Sequence, residues 1–129
     1  NLKGITEKLD YIKSLGVSIL YLSPIVHSQS NHRYDTADYE NVDPYAGCNE
    51  NLKVLCDEAH KRGMKVVLDA VFNHTGNDSK YFDEYKSFGG EGAYNNPMSK
   101  YSNFYKRRYE NGKIYYEYWW GFENLPECE

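Results

Sequence analysis

Nineteen of the twenty-one Val, Ile and Leu residues of this chain lie in residues 1–72, and only Ile114 and Leu125 follow. Aromatic residues run the other way. Residues 73–129 hold nine of the 14 tyrosines, four of the five phenylalanines and both tryptophans. The first stretch can therefore build an aliphatic core between strands and helices. The second cannot, and must pack through rings. A change of core chemistry of this kind places a domain boundary near residues 72–76. The expected division is 1–72 and 73–129.

The first stretch reads as alternating elements. Leu2, Ile5, Leu9 and Ile12 recur at helical spacing and predict one helix, ended at Gly16. Val17–Leu22 is a short continuous apolar run, the signature of a strand covered on both faces. Residues 23–48 read as one long polar loop carrying Pro24, Pro44 and Gly47. Leu52, Leu55, Cys56 and Ala59 predict a second helix, ended at Gly63. Met64–Val71 predicts a second buried strand. Strands alternating with helices indicate βαβ units and a parallel sheet, with ligands bound beyond the C-terminal ends of the strands. In the second stretch, Asn77-Asp78-Ser79 followed by Tyr81, Phe82, Tyr85 and Phe88 predicts a short amphipathic helix. Residues 91–103 are turn-rich. Asn111-Gly112 between two aromatic runs predicts a hairpin.

Several function classes fall away at once. Fifteen Lys and Arg against 19 Asp and Glu give a net charge of −4, which argues against a nucleic-acid module. The cluster Lys106-Arg107-Arg108 then reads as a solvated face. No apolar run approaches the roughly 18 residues that cross a membrane. No phosphate-binding glycine loop and no Gly-x-Ser-x-Gly elbow is present. Three cysteines make an odd count, and Cys48 and Cys56 on one helix would lie about 12 Å apart, beyond disulfide reach. Together with the absence of a signal pattern behind Asn1-Leu2-Lys3, this favours a cytoplasmic setting, with the natural start of the protein upstream. Cys56 and His60 share a helix face, but two ligands do not close a zinc site.

The chemistry concentrates in the two loops that follow the predicted strands. Asp69-Ala70-Val71-Phe72-Asn73-His74 lies where a buried strand opens. Asp69 reads either as a turn cap or as a carboxylate held at the mouth of a barrel, with His74 a donor to substrate. His32-Arg33-Tyr34-Asp35-Thr36-Ala37-Asp38-Tyr39 reads either as a solvated loop or as a sugar platform. Sugar rings stack their C–H faces on aromatics and need a polar rim, and this octapeptide supplies both. Asp69 and Asn73 are oxygen donors of a type calcium accepts.

These segments resemble the α-amylase superfamily of glycoside hydrolases, and its neopullulanase and cyclomaltodextrinase branch in particular. Asp69-x-x-x-Asn73-His74 is similar to that family's first conserved region at the end of the third barrel strand. His32-Arg33-Tyr34-Asp35-Thr36-Ala37-Asp38-Tyr39, with Val42-Asp43-Pro44 and Gly47, resembles the loop after the second strand. Tyr118-Trp119-Trp120-Gly121-Phe122 with Leu125-Pro126 resembles the end of the inserted domain B. Three departures stand out: Cys48 at a helix N-cap where relatives have Thr, Asn51 where Asp is common, and the ending Leu125-Pro-Glu-Cys-Glu129 where Asn is frequent.

The resemblance implies an α/β fold, a partial (β/α)8 TIM barrel (1–72) carrying an irregular, aromatic-rich domain B (73–129). It implies that Tyr34 stacks on the sugar at the cleavage subsite, that His74 binds the same sugar, and that Asp69 is a supporting carboxylate. It requires no cofactor and allows a calcium ion at Asn73. The ligand implied is an α-glucan oligosaccharide or polysaccharide, and the parent enzyme would be a retaining hydrolase, as a homodimer in many relatives. At about 250 residues a full barrel is longer than this chain, and the nucleophile and acid/base belong to later strands. The isolated chain is expected to be inactive. The alternative reading is a non-catalytic glucan-binding module.

Overall fold

A computed structural model describes all residues, Asn1 to Glu129. In chain order the elements are α1 (Leu2–Glu7), α2 (Leu9–Ser14), β1 (Ile19–Leu22), β2 (Val26–Ser28), β3 (Thr36–Val42), α3 (Asn49–Lys61), β4 (Lys65–Leu68), β5 (Arg107–Glu110) and β6 (Lys113–Tyr116). The chain divides into two units, Asn1–His27 with Glu40–Ala70, and Ser28–Tyr39 with Val71–Glu129. Residues 28–39, which the sequence places with the first stretch, thus pack with the second.

In the first unit β1 and β4 pair in parallel, with Ile19 opposite Lys65 and Leu22 opposite Leu68. The ladder runs on past β4, where the Asp69 N–H donates to the Leu22 carbonyl at 2.9 Å. Parallel pairing demands a crossover, and α3 supplies it. Leu2, Leu9, Leu20, Val42, Leu55, Ala59 and Met64 form the aliphatic core. The single helix predicted over residues 2–12 is instead two. Lys8, at φ −105 and ψ 5, leaves helical geometry and separates α1 from α2 while Leu2 and Leu9 both stay buried. The two strands are not covered on both faces. Ile19, Tyr21 and Val67 share one face and are 53, 65 and 41% exposed, because nothing in the unit packs on that side of the pair.

The polar loop predicted over residues 23–48 contains two strands. β2 and β3 form a second two-stranded sheet, and each runs from one unit's residues into the other's. Pattern reading misses β3 because Thr36, Ala37 and Asp38 are all buried, with no alternation of polar and apolar residues. The helix α3 begins at Cys48, whose backbone N–H donates to Asn51 Oδ1 at 3.1 Å. Asn51 thereby supplies half of a capping box, whatever the thiol contributes.

The second unit is held by rings, as its composition requires. Phe82, Ala93 and Tyr105 are buried at its centre, with Tyr81, Tyr101, Tyr116, Tyr118 and Cys128 against them. Phe82 meets Tyr105 and Tyr116 edge-on, each at 4.9 Å between centroids. The predicted helix around residues 80–88 does not form. Asp83 and Lys86 sit at φ 55 and φ 60, conformations no α-helix contains. Asp83 is fully buried, and its carboxylate accepts the Phe88 N–H at 2.9 Å and the Gly90 N–H at 2.7 Å. A side chain that competes this well for backbone donors favours a turn over a helix. Gly92 passes so close to this turn that a Cβ there would lie 2.5 Å from Asp83 Cβ. The hairpin forms as predicted. β5 and β6 are antiparallel, and Asn111 and Gly112 turn between them at φ 51 and φ 75. Two positive φ values in succession are what a type I′ turn requires.

Candidate functional site

Three separate pieces of the second unit's chain converge on one cavity. Residues 30–35 bring Ser30, His32, Tyr34 and Asp35. Residues 71–74 bring Val71, Asn73 and His74. Residues 119–125 bring Trp119, Phe122, Asn124 and Leu125. The cavity measures about 760 Å³, within the range of small-molecule sites. Backbone pairing fixes the last piece against the second. His74 bridges Glu127, and the Cys128 N–H donates to the Asn73 carbonyl at 2.9 Å. Gly76 ties the first piece to the second, its N–H donating to the Thr36 carbonyl at 2.8 Å. A Cβ at Gly76 would sit 2.8 Å from the Asp35 carbonyl oxygen, so only glycine allows this approach.

His74 is the pivot of the site. It is 4% exposed, and its Nε2 lies 3.2 Å from the Tyr34 carbonyl. A carbonyl only accepts, so Nε2 carries the proton, and Nδ1 is left to accept from the Asn73 amide at 3.4 Å. Burial holds the imidazole below the ordinary histidine value, and the Tyr34 carbonyl, Asp35 and Glu127 oppose that shift. His74 is therefore neutral at pH 7. Its ring lies 4.9 Å from Trp119. Tyr34 is 40% exposed and stacks on His32 at 5.8 Å. The Tyr34 N–H donates to His32 Nδ1 at 3.1 Å, which sets the loop that carries the phenol. Asp35 is buried at the cavity wall, and both its oxygens are engaged by Ser30, the backbone N–H at 3.0 Å and the hydroxyl closer still.

Of the four residues singled out from sequence, the structure brings Tyr34, Asn73 and His74 to this cavity. Asp69 is not among its lining residues. It belongs to the first unit, just past β4, where Tyr21 hydrogen-bonds to its carboxylate. Asp38 pairs with Lys80 at 2.8 Å. Asn73 is a poor calcium anchor. It is exposed, its amide nitrogen faces His74, and no group of three or more His, Cys, Asp or Glu residues is placed to hold a metal. One amide oxygen falls far short of the six to eight that calcium takes, so the residues present do not fit such a site. The basic cluster is tied down within the chain: Lys106 pairs with Glu127, Arg107 lies over Tyr109 and Arg108 over Tyr115.

Trp119, Phe122 and Asn124 also line the cavity; the sequence reading placed Trp119 and Phe122 only in the motif that resembles the end of domain B, and gave none of the three a binding role. The available signal was the pair of adjacent tryptophans before a glycine, in a segment otherwise rich in turn residues. Trp119 is pinned by its N–H to the Leu125 carbonyl at 2.9 Å, and Phe122 by its N–H to the Trp119 carbonyl at 3.0 Å. A second cavity of about 440 Å³ lies among Tyr39, Phe72, Tyr81, Phe104, Tyr105 and Cys128. Tyr39 and Phe72 belong to the two motifs read from the sequence, but none of Tyr34, Asp69, Asn73 and His74 lines it.

An aromatic-walled cavity with a histidine, amides and a carboxylate at its edge suits a ring that is apolar on its faces and hydroxylated at its rim. Comparison with known proteins points the same way. The profile of the family described as "Alpha amylase, catalytic domain" matches residues 1–123. An amylopullulanase of Thermoanaerobacterium thermosulfurigenes is 47% identical over 132 residues, covering 98% of this chain and 7% of that protein. Neopullulanase 2 of Thermoactinomyces vulgaris is 46% identical over 94 residues, covering 73% of this chain and 16% of that protein. Among solved structures, the debranching enzyme of Nostoc punctiforme superposes with a TM-score of 0.80 at 41% identity, over 99% of this chain and 26% of that one. The chain thus spans a small part of the length of each.

Proposed function

This chain belongs to the α-amylase catalytic-domain family, in its neopullulanase-like branch, with the fold of a partial (β/α)8 barrel, and we propose that it forms one wall of the active-site cleft of an α-glucan hydrolase. One observation carries the proposal: Tyr34, His74 and Trp119, distant in sequence, face a single cavity with a polar edge. Residues 73–129 are proposed to be the inserted domain B.

The geometry supports the following roles. Tyr34 offers a phenol face, backed by the His32 ring, on which the C–H face of a glucosyl ring stacks. His74 presents an uncharged donor to the same sugar. Its Nε2–H is shared with the Tyr34 carbonyl, so it reaches a sugar oxygen by bifurcating or releasing that bond. Asn73 and Asn124 supply amides to hydroxyls. Asp69 is proposed as the supporting carboxylate of the parent site.

Hydrolysis with retention needs two carboxyl groups about 5 Å apart across the scissile bond. Asp35 is the one carboxylate lining the cavity, and Ser30 already occupies both its oxygens. The 129-residue chain is therefore proposed to bind a glucan and to hydrolyse none. Two measurements test this. Purified chain should release no reducing sugar from maltooligosaccharides above a His74→Ala control, and maltose should change its tryptophan fluorescence saturably. Release above control would overturn the first statement. Absence of any saturable change, or a change whose midpoint concentration does not move in Tyr34→Ala, would overturn the second.

A further inference from the structure

Trp120 is the most exposed aromatic side chain of the second unit, at 83%. It also sits at φ 52, ψ 23, inside the left-handed region. A bulky residue seldom adopts that conformation, and one that does is held there by its surroundings. The surroundings are explicit. Gly121 follows at φ 78, and the Gly121 N–H donates to the Tyr118 carbonyl at 3.0 Å. The turn is closed on its other side by the Leu125 N–H to the Phe122 carbonyl at 2.8 Å. A glycine at position 120 would relax this turn, yet the chain places its largest side chain there and leaves it in water.

The ring is not randomly placed. Trp120 stacks on Trp119 at 5.1 Å between centroids and 19° between planes, and Trp119 in turn lies 4.9 Å from His74. The stack runs from the buried histidine of the cavity, through the tryptophan that walls it, to an indole outside it. Phe122, 52% exposed, flanks Trp119 at 6.4 Å.

We infer that Trp120 is an outer sugar-stacking platform, which binds a glucosyl residue of an α-glucan longer than the cavity itself accommodates. This inference rests on the proposed glucan site. Its physical basis is the preference of flat, rigid indoles for the C–H faces of pyranose rings, at little entropic cost because the turn already fixes the ring. The stacking continuity with the cavity commits the occupant to the same glucan chain. Strain retained at an exposed position is a mark of a site kept for binding.

The test uses the 129-residue chain, with maltose and maltoheptaose as probes, followed by calorimetric titration so that no readout depends on the mutated indole. The longer sugar should bind about tenfold tighter than maltose, the increment of one aromatic stacking contact. Trp120→Ala should bring that ratio close to one, and Trp120→Phe should keep most of it. Trp120→Gly should also bring the ratio close to one while raising the melting temperature, because glycine relieves the left-handed backbone. A ratio that persists in Trp120→Ala overturns the platform. So does a Trp120→Ala variant that changes only the sedimentation mass, which would assign the ring to contact between copies of this chain. If maltose binds and needs Tyr34 but the ratio ignores Trp120, the platform alone falls. If neither sugar binds the unaltered chain, the glucan site falls and the platform with it.

Discussion

Replacing Phe82 with alanine should unfold the second unit's core selectively. Phe82 is 0% exposed, and its ring meets Tyr105 and Tyr116 at 4.9 Å, Tyr94 at 5.3 Å and Tyr118 at 6.4 Å. Truncating a fully buried phenylalanine costs about 3–5 kcal/mol. Each ring pair adds about 0.5–1.5 kcal/mol beyond area burial. These contributions overlap, so the upper end, about 4–5 kcal/mol, is the expected loss. That is about a quarter or more of the roughly 5–15 kcal/mol that stabilises a domain. The molecule carries its own reporters. Both tryptophans lie in the second unit, and α1, α2 and α3 all lie in the first. Tryptophan fluorescence therefore reads one unit and helical circular dichroism the other. In urea, with an m-value of about 2 kcal/mol per molar, the fluorescence midpoint should fall by about 2 M. Phe82→Leu, which keeps most of the apolar volume, should fall by about half as much. A fluorescence midpoint that moves by less than about 0.5 M in Phe82→Ala would refute the claim that rings replace an aliphatic core here.

Other perturbations have equally definite outcomes. The folded His74 titrates below the ordinary histidine value of 6.5, with burial the main cause. The unfolded chain then binds this proton more readily, so stability falls as pH drops below 6.5 towards the folded value. His74→Gln should flatten that part of the profile in urea melts taken from pH 7.5 to 5. Gly92→Ala would drive a Cβ into Asp83 and the Phe82 carbonyl, and a backbone shift of that kind should cost about 1–3 kcal/mol in the fluorescence-detected melt. Tyr34→Ala should weaken maltose binding by about tenfold, one lost stacking contact, and leave the melt within about 1 kcal/mol, because the phenol is 40% exposed.

What the sequence could and could not disclose follows from how each element is stabilised. β1, β4, α3 and the hairpin carry their own local signatures: short apolar runs, helical spacing ended at Gly63, and Asn111-Gly112 in a turn that needs two positive φ values. β3 has none. Asp38 is buried there only because Lys80, far along the chain, neutralises it. The spacing of Tyr81, Phe82, Tyr85 and Phe88 imitates a helix, but only Phe82 is fully buried, and Tyr85 is 61% exposed. The buried Asp83 carboxylate takes the backbone donors that a helix would have used. At the site, Tyr34 and His74 stand in motifs dense with polar and aromatic groups, and so were legible. Trp119, Phe122 and Asn124 reach the cavity through backbone pairing of residues 125–128 with residues 73–75. A long-range pairing of this kind leaves no local periodicity to read.

The arrangement of the cavity also dictates when it can exist during synthesis. Its first wall, at Tyr34, leaves the ribosome long before its last, at Leu125. At about 5–20 residues per second, that interval is on the order of five to twenty seconds. Throughout it, the aliphatic unit can close on itself as soon as Met64 and β4 emerge, while residues 28–39 wait as an excursion from it with no rings to pack on. The cavity is thus completed late, and a chain truncated before residue 125 would carry the motifs of Tyr34 and His74 without the chamber that joins them.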